Sequence, residues 1–437
     1  MKQVFFSLLL SACALSTSAQ EWAGATIPPV DRTRYQELFV TRPGQQPYRI
    51  PAIAQAKNGN LIAVSDHRPC GSDIGYGEVD IKVRISKDNG KTWGEERFIA
   101  NGTGVKGAPD CGFGDAAIVA DRQSNEVLIL CVHGETPYWN GNYPEGNPNP
   151  VGLLRSLDGG ETWQAYEGIS EQIYSPFRQS KHGMIKSLFF GSGRLCQSSR
   201  IKVGSHYRIY GAVAARDGGN RVFYSDDFGR SWNVLGGVDA LPCVEGDEPK
   251  IEELPNGNVL LSSRVFPQKW HRLYNIYTYD NVKTGTGTWA QAAHTGNLPA
   301  GVLADRNNTD GEILIVPALR KADRKRVHLA LQSVPFGPGR ANVGIYFKAL
   351  TRADYSSPQS FGSHWEGRHQ VSTLPSAYST MIVQADRRIG FYYEEQTHGK
   401  GADYTEVYVP LTLEEITGGR YAIDPKYKPL GRQKLER

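Results

Sequence analysis

One eight-residue pattern recurs along this chain and constrains what it can fold into. Ser86-Lys87-Asp88-Asn89-Gly90-Lys91-Thr92-Trp93 returns as Ser156-Leu157-Asp158-Gly159-Gly160-Glu161-Thr162-Trp163, and again as Ser225-Asp226-Asp227-Phe228-Gly229-Arg230-Ser231-Trp232. The copies stand 70 and 69 residues apart, and a weaker echo, Thr284-Gly285-Thr286-Gly287-Thr288-Trp289, follows 57 residues later. Each copy is preceded by an alternating run (Ile81 to Arg84, Val151 to Arg155, Arg221 to Tyr224), so each reads as strand, tight turn, strand. In such a turn Asp, Ser and Thr side chains bond nearby backbone groups, Gly supplies a positive φ, and Trp packs across. The pattern's role is structural. A repeat of this length holds one four-stranded sheet with generous loops, and radial repetition protects the edges of many short strands. The expectation is an all-β chain forming a six-bladed β-propeller of four-stranded antiparallel blades.

Composition enters where it supports or excludes. Gly (48), Pro (25) and Tyr (22) are abundant and Met (3) is rare; turn dipeptides punctuate short apolar runs, and no long amphipathic helix emerges. The 49 basic and 45 acidic residues are interspersed, so the net charge of +4 offers neither a stripe for nucleic acid nor a polybasic membrane arm. No stretch after the N-terminus is apolar enough to span a bilayer.

Residues 1–19 read as a signal peptide, with Lys2 as the positive region, Val4 to Leu10 as the apolar core and Thr17-Ser18-Ala19 as the cleavage site. Export to the periplasm, the cell surface or the exterior follows. Leu10-Ser11-Ala12-Cys13 also resembles a lipobox, the second reading of the same segment. Residues 20–33 read as a lead-in and 34–437 as one propeller, taken as a monomer, with Asn140 to Pro150 a long loop inside a blade. Cys70, Cys111, Cys131, Cys196 and Cys243 form neither a disulfide framework nor a Cys-x-x-Cys metal pair. Buried thiols are expected, and a Cys70–Cys111 bridge stays open. The ten His show no metal-ligating spacing, so neither metal nor cofactor is expected.

The stretch from Tyr48 to Asp73 carries the first chemistry. Tyr48-Arg49-Ile50-Pro51 opens a strand, Lys57-Asn58-Gly59-Asn60 turns it, and Asp66-His67-Arg68-Pro69-Cys70-Gly71-Ser72-Asp73 closes the return. Pro51 disfavours helical backbone at Ile50, which predicts extended geometry there. A hairpin return brings Arg49 and Asp73 to one end of a sheet, a fixed cation near a carboxyl group.

A Tyr-Arg-Ile-Pro opening followed by three Asp boxes resembles the bacterial exo-sialidases, and the resemblance covers nearly all of the chain after residue 33. It implies sialylated glycoconjugates as substrates. Sialic acid carries a carboxylate on its anomeric carbon, and three arginines bind that group in the family, since a guanidinium fork pairs bidentately with carboxylate. The resemblance assigns these to Arg49, to Arg264 in the segment Pro255 to Arg264, and to Arg340 in Pro338-Gly339-Arg340-Ala341-Asn342, with Arg352 as the substitute. No Asp box follows Arg340. A carboxylate nucleophile is repelled by such a substrate, and the family uses a tyrosine hydroxyl instead. Tyr378 in Ser376-Ala377-Tyr378-Ser379-Thr380 resembles that nucleophile, and Glu248 in Gly246-Asp247-Glu248-Pro249-Lys250 resembles the glutamate that takes its proton, with nearby arginines favouring phenolate. Asp73 becomes the acid/base. Arg68 and Asp115 align with residues that contact the sugar's 4-hydroxyl, and they read equally well as salt-bridge partners. Trp139, Trp365, Tyr392 and Tyr393 read as blade packing or as pocket lining. The resemblance implies a retaining exo-α-sialidase. The alternatives are a non-catalytic sialic-acid-binding propeller, a trans-sialidase, or a hydrolase of the deaminated sugar.

Overall fold

Each Asp box closes its hairpin with the bonds its residue types offer. In the first, Asp88 accepts from the N–H groups of Lys91 (3.0 Å) and Thr92 (2.8 Å), and Ser86 Oγ accepts from Gly90 N (2.7 Å). Asp158 with Thr162 and Asp227 with Ser231 repeat the arrangement. The glycine serves twice. Gly90, Gly160 and Gly229 have φ of 81°, 87° and 81°, a region that favours glycine. A Cβ on them would stand 2.3 Å from the Tyr408 hydroxyl, 2.8 Å from Ile62 and 2.5 Å from Leu128 respectively, each on the preceding blade. Every box is therefore a lock between neighbouring blades. The echo keeps the lock without the Asp: Gly285 (φ 74°) seats on Tyr224, and Asn281 accepts from Lys283 N at 2.9 Å.

The computed structural model describes residues 24–431 other than 146–148, 217, 268 and 308. Its sheets form six blades around an axis. Blade 1 is Tyr48–Gln55, Leu61–His67, Asp80–Ser86 and Arg97–Ala100; blade 2 is Phe113–Ala120, Val127–His133, Val151–Ser156 and Glu167–Gly168. Blade 3 is Cys196–Val203, His206–Ala215, Gly219–Ser225 and Asn233–Val234; blade 4 is Gly246–Glu253, Val259–Val265, Leu273–Asn281 and Thr286–Trp289. Blade 5 is Ile313–Arg320, Arg326–Pro335, Val343–Ala349 and Gly367–Gln370. Blade 6 takes Ser376–Val383, Ile389–Glu395 and Thr405–Leu411 from the C-terminal part and its outermost strand, Gln36–Phe39, from the N-terminal part, with Gln36 opposite Tyr408. Two distant parts of the chain thus share one sheet and close the ring. The stretch expected as a lead-in adds Ala25–Ile27 to the edge of blade 5, parallel to Gly367–Gln370.

The core lies between blades. Ile62, Val64 and Val83 of blade 1 pack on Ala116, Ile118 and Ile129 of blade 2, and Leu331 and Phe347 of blade 5 share a cluster with Met381 and Phe391 of blade 6. Trp365, Tyr392 and Tyr393 are buried within blades, whereas Trp139 stands exposed. All five described cysteines are free, so the Cys70–Cys111 bridge is not formed. The targeting segment and Cys13 lie outside the described residues. Among those residues no helix is long and apolar enough to cross a membrane, and no cluster of His, Cys, Asp and Glu could hold a metal ion.

Four inner strands break register at the same end. The ladders slip between Arg49 and Ala52, Gly114 and Ala117, Gly246 and Pro249, and Ser376 and Ser379. A bulge inserts an unpaired residue and re-aims side chains. Arg49, Asp115, Glu248 and Tyr378 all fall at these breaks. The expectation of extended backbone at Ile50 is corrected here: Ile50 has φ 66°, because its N–H must turn to reach Glu394 Oε1 at 2.9 Å. Proline's bias against helix still holds, and the left-handed region satisfies it.

Candidate active site

Tyr378 stands at the centre. Its hydroxyl donates to Glu248 Oε1, and Arg264 Nη1 donates to Glu248 Oε2 at 2.9 Å while lying 3.5 Å from the Tyr378 oxygen. Arg49 and Arg340 each bring a guanidinium carbon to 5.6 Å from the Tyr378 ring centroid. Three cations therefore converge on one phenol. The strand break at 377–378 turns Tyr378 toward the axis, and Glu248 comes from the break in blade 4.

Electrostatics oppose an ionised phenol in the free site. Burial, then the Glu248 charge, push the Tyr378 hydroxyl well above its ordinary range, and Arg264 and Arg340 pull it back only in part. The arginines favour phenolate, as expected, but burial and Glu248 outweigh them, which leaves a neutral phenol hydrogen-bonded to Glu248. Burial, then Glu248, also push Asp247 up to about 6, with Arg264 Nε 3.3 Å away.

Glu394 is a residue sequence reasoning missed. Its fully buried carboxylate accepts from Arg49 Nε (2.7 Å), Arg49 Nη2 (3.3 Å), Ile50 N (2.9 Å) and Tyr378 N (3.1 Å). Burial disfavours that charge, but Arg49 and the two N–H groups outweigh it and hold Glu394 below its usual range. Two adjacent glutamates, Glu394 and Glu395, closing the otherwise apolar strand Ile389–Glu395 were the available signal. Tyr404, with Arg49 5.1 Å over its ring, was missed as well.

Asp73 lies on the loop after Leu61–His67, with 62% of its side chain exposed and thus open to an incoming ligand. Its Oδ1 accepts from Arg68 Nη2 and from Ile74 N, both at 2.9 Å, which leaves Oδ2 for another partner. Arg68 is buried and also lies 3.6 Å from Asp66 Oδ2, an oxygen that accepts from Asp115 N at 3.1 Å. Burial raises Asp66 to about 7 despite Arg68. Asp115 (φ 57°) is pushed well up by burial and by the charges of Asp73 and Asp66. Arg68 is therefore a salt-bridge partner of Asp73, and the Asp115 N–H is held by the neighbouring Asp66 carboxylate.

Arg340 is exposed, and its carbonyl accepts from Ser376 N at 2.9 Å, tying the loop of blade 5 to the strand that bears Tyr378. Arg352 caps the short helix Ala353–Tyr355, and its charge acts on Tyr355, whose carbonyl receives Asn258 of blade 4 at 2.9 Å. The structure brings Arg49, Arg68, Asp73, Asp115, Glu248, Arg264, Arg340 and Tyr378 to one mouth of the propeller and leaves Arg352 apart.

Comparison with known proteins agrees with this fold. The model of the BNR repeat-like domain matches residues 59–392. A sialidase of Micromonospora viridifaciens is 28% identical over 436 residues, covering 94% of this chain and 60% of the relative, so the chain spans well under two thirds of that protein. Among solved structures, the Hadza microbial sialidase Hz136 superposes with a TM-score of 0.64 at 21% identity over 84% of this chain and 66% of its own. The leech intramolecular trans-sialidase complexed with 2,7-anhydro-Neu5Ac superposes at 0.68 and 14% over 88% of this chain and 70% of its own. These superpositions are likenesses of fold. The repeats and the matched model together show that the chain belongs to the BNR repeat-like domain family.

Proposed function

We propose that this protein is an exported exo-α-sialidase that hydrolyses terminal α-linked sialic acid from glycoconjugates with retention of configuration. The observation that carries the reading is the Tyr378 hydroxyl bonded to Glu248 inside a ring formed by Arg49, Arg264 and Arg340. The three guanidinium groups suit the carboxylate on the anomeric carbon. As the Tyr378 oxygen bonds to that carbon, its proton passes to Glu248, and the glycosidic bond breaks with Asp73 giving a proton to the leaving oxygen. Water then attacks the sugar carbon, Asp73 takes a proton from it, and the tyrosyl bond breaks with Glu248 returning the phenolic proton. A neutral phenol in the resting site fits this sequence, since the nucleophile is not repelled by the substrate's charge. The signal peptide read at residues 1–19 supports export.

Release of free sugar from sialyllactose by the wild type, with loss of a hundredfold or more in Asp73→Ala and Tyr378→Phe, is the expected result. A 2,7-anhydro sugar as the product would replace hydrolysis with intramolecular transfer. Binding of sialic acid without turnover of either sialyllactose or its deaminated counterpart would make the protein a sialic-acid-binding propeller.

A further inference from the structure

The six blades leave a second opening at the end of the axis away from Tyr378. A cavity of about 650 Å³, a volume that takes a small molecule, is lined there by the ends of the inner strands of all six blades. Gln55, Ala120, Glu253 and Val383 border it, and each closes a strand that carries Arg49, Asp115, Glu248 or Tyr378 near its start. The five residues of extended strand from Tyr378 to Val383 put the two ends roughly 16 Å apart. Lys250 and Asp310, buried and paired at 2.8 Å, stand between them. Residues 427–431 form one wall of the cavity.

Its charge is one-sided. Six lysines and arginines line it against two carboxylates, and both carboxylates are already engaged. Glu252 Oε2 accepts from Arg194 Nη2 at 2.6 Å, and Glu253 Oε2 accepts from Ser199 N and Ser199 Oγ, both at 2.7 Å. Among the described residues Arg122, Arg200, Lys202 and Lys428 make no ion pair. Arg122 Nε is buried and has no hydrogen-bond partner among them, a costly state for a donor. Arg122 and Lys202 also share one ring: the guanidinium carbon lies 5.0 Å and the ammonium 5.6 Å from the Tyr207 centroid. Like charges this close repel. An anion seated among them relieves the repulsion and supplies the missing acceptor.

We infer that this cavity binds a small polyanion, a molecule carrying two or more phosphate or carboxylate groups. Arg122 and Lys202, held at the Tyr207 ring, take one anionic group. Arg200, whose charge acts on His328 of blade 5, takes another. The site is distinct from the three arginines around Tyr378, and its ligand has no part in the proposed reaction.

The test is isothermal titration calorimetry at constant ionic strength, with pyrophosphate and in parallel with citrate, on the wild type, Arg122→Gln, the double variant Arg200→Gln/Lys202→Gln, and Arg340→Gln. The expected result is one-to-one binding to the wild type, weakened about tenfold or more in Arg122→Gln and in the double variant and unchanged in Arg340→Gln. Pyrophosphate binding alone supports the site with a phosphate ligand, and citrate binding alone supports it with a carboxylate. Arg200 and Lys202 are exposed, so the double variant keeps its fold, which a melting temperature equal to the wild type's in the absence of anion verifies. No binding of either anion overturns the inference. So does binding that is lost only in Arg340→Gln, which places the anion at the other end of the axis.

Discussion

Glu394 holds Arg49 by two guanidinium hydrogen bonds, of 2.7 Å and 3.3 Å, and the same carboxylate accepts the N–H of Tyr378. One buried charge therefore fixes both the Arg49 guanidinium and the strand break that presents the tyrosine. Removing one partner of a buried pair strands the other. Glu394→Gln is expected to lower the unfolding free energy by about 3 kcal/mol in urea titration. It should also raise KM for sialosides about tenfold by freeing Arg49. An unchanged KM would separate Glu394 from the site.

In the proposed reaction Gly75 bears on catalysis at a distance. With φ 90° and Pro137 N at 2.3 Å from where its Cβ would be, Gly75→Ala must lift the loop that carries Asp73. The expected result is a fall in kcat of about tenfold or more on sialyllactose, since small misplacements are costly in a positioned acid. An aryl sialoside with a good leaving group needs little protonation and should lose much less. Equal losses on both would point to a general folding defect instead.

The Asp boxes make a stability prediction separable from activity. Gly90→Ala drives a methyl group into the Tyr408 hydroxyl of blade 6, which accepts from Gln384 just past the end of strand Ser376–Val383 opposite Tyr378. Overpacking of this kind costs about 1–3 kcal/mol, with added strain from the left-handed backbone. Thermal denaturation should show the loss, and kcat/KM below the transition should stay at the wild-type value.

Asp66 predicts a pH dependence of stability. Burial raises it in the folded state from 3.8 to about 7, so the folded protein keeps this proton where the unfolded chain releases it. Its contribution is fully present below about pH 4 and declines as pH rises toward about 7. Asp66→Asn removes that ionisation. Its melting temperature should therefore fall less than the wild type's between pH 5 and pH 8, and parallel curves would contradict the assignment.

What could be read from the chain followed the range of the interactions. The Asp boxes were legible because Ser86, Asp88, Gly90 and Thr92 bond within a few residues of one another, and their period implied the blades. Arg49, Asp73, Glu248 and Tyr378 were legible through short motifs, each tied to one bulge or loop. Glu394 was not, because it meets Arg49 across the closure between blades 6 and 1, 345 residues away in the chain. The Ile50 conformation followed from that same distant carboxylate. The neutral state of Tyr378 depends on burial, which no local pattern of arginines reveals. Arg340 lacks a following Asp box, and its bond to Ser376 across the blade 5–6 boundary is what distinguishes it from Arg352.

The most direct test of the account is trapping with 2,3-difluorosialic acid followed by peptide mass mapping. The C3 fluorine slows both steps while the C2 fluoride leaves readily as the tyrosyl bond forms, so the covalent species accumulates. The account predicts a 3-fluorosialosyl mass added to the peptide containing Tyr378 in the wild type and no adduct in Tyr378→Phe. An adduct on Asp73 or Glu248, or a wild type that hydrolyses sialyllactose while Tyr378→Phe does so equally well, would contradict it.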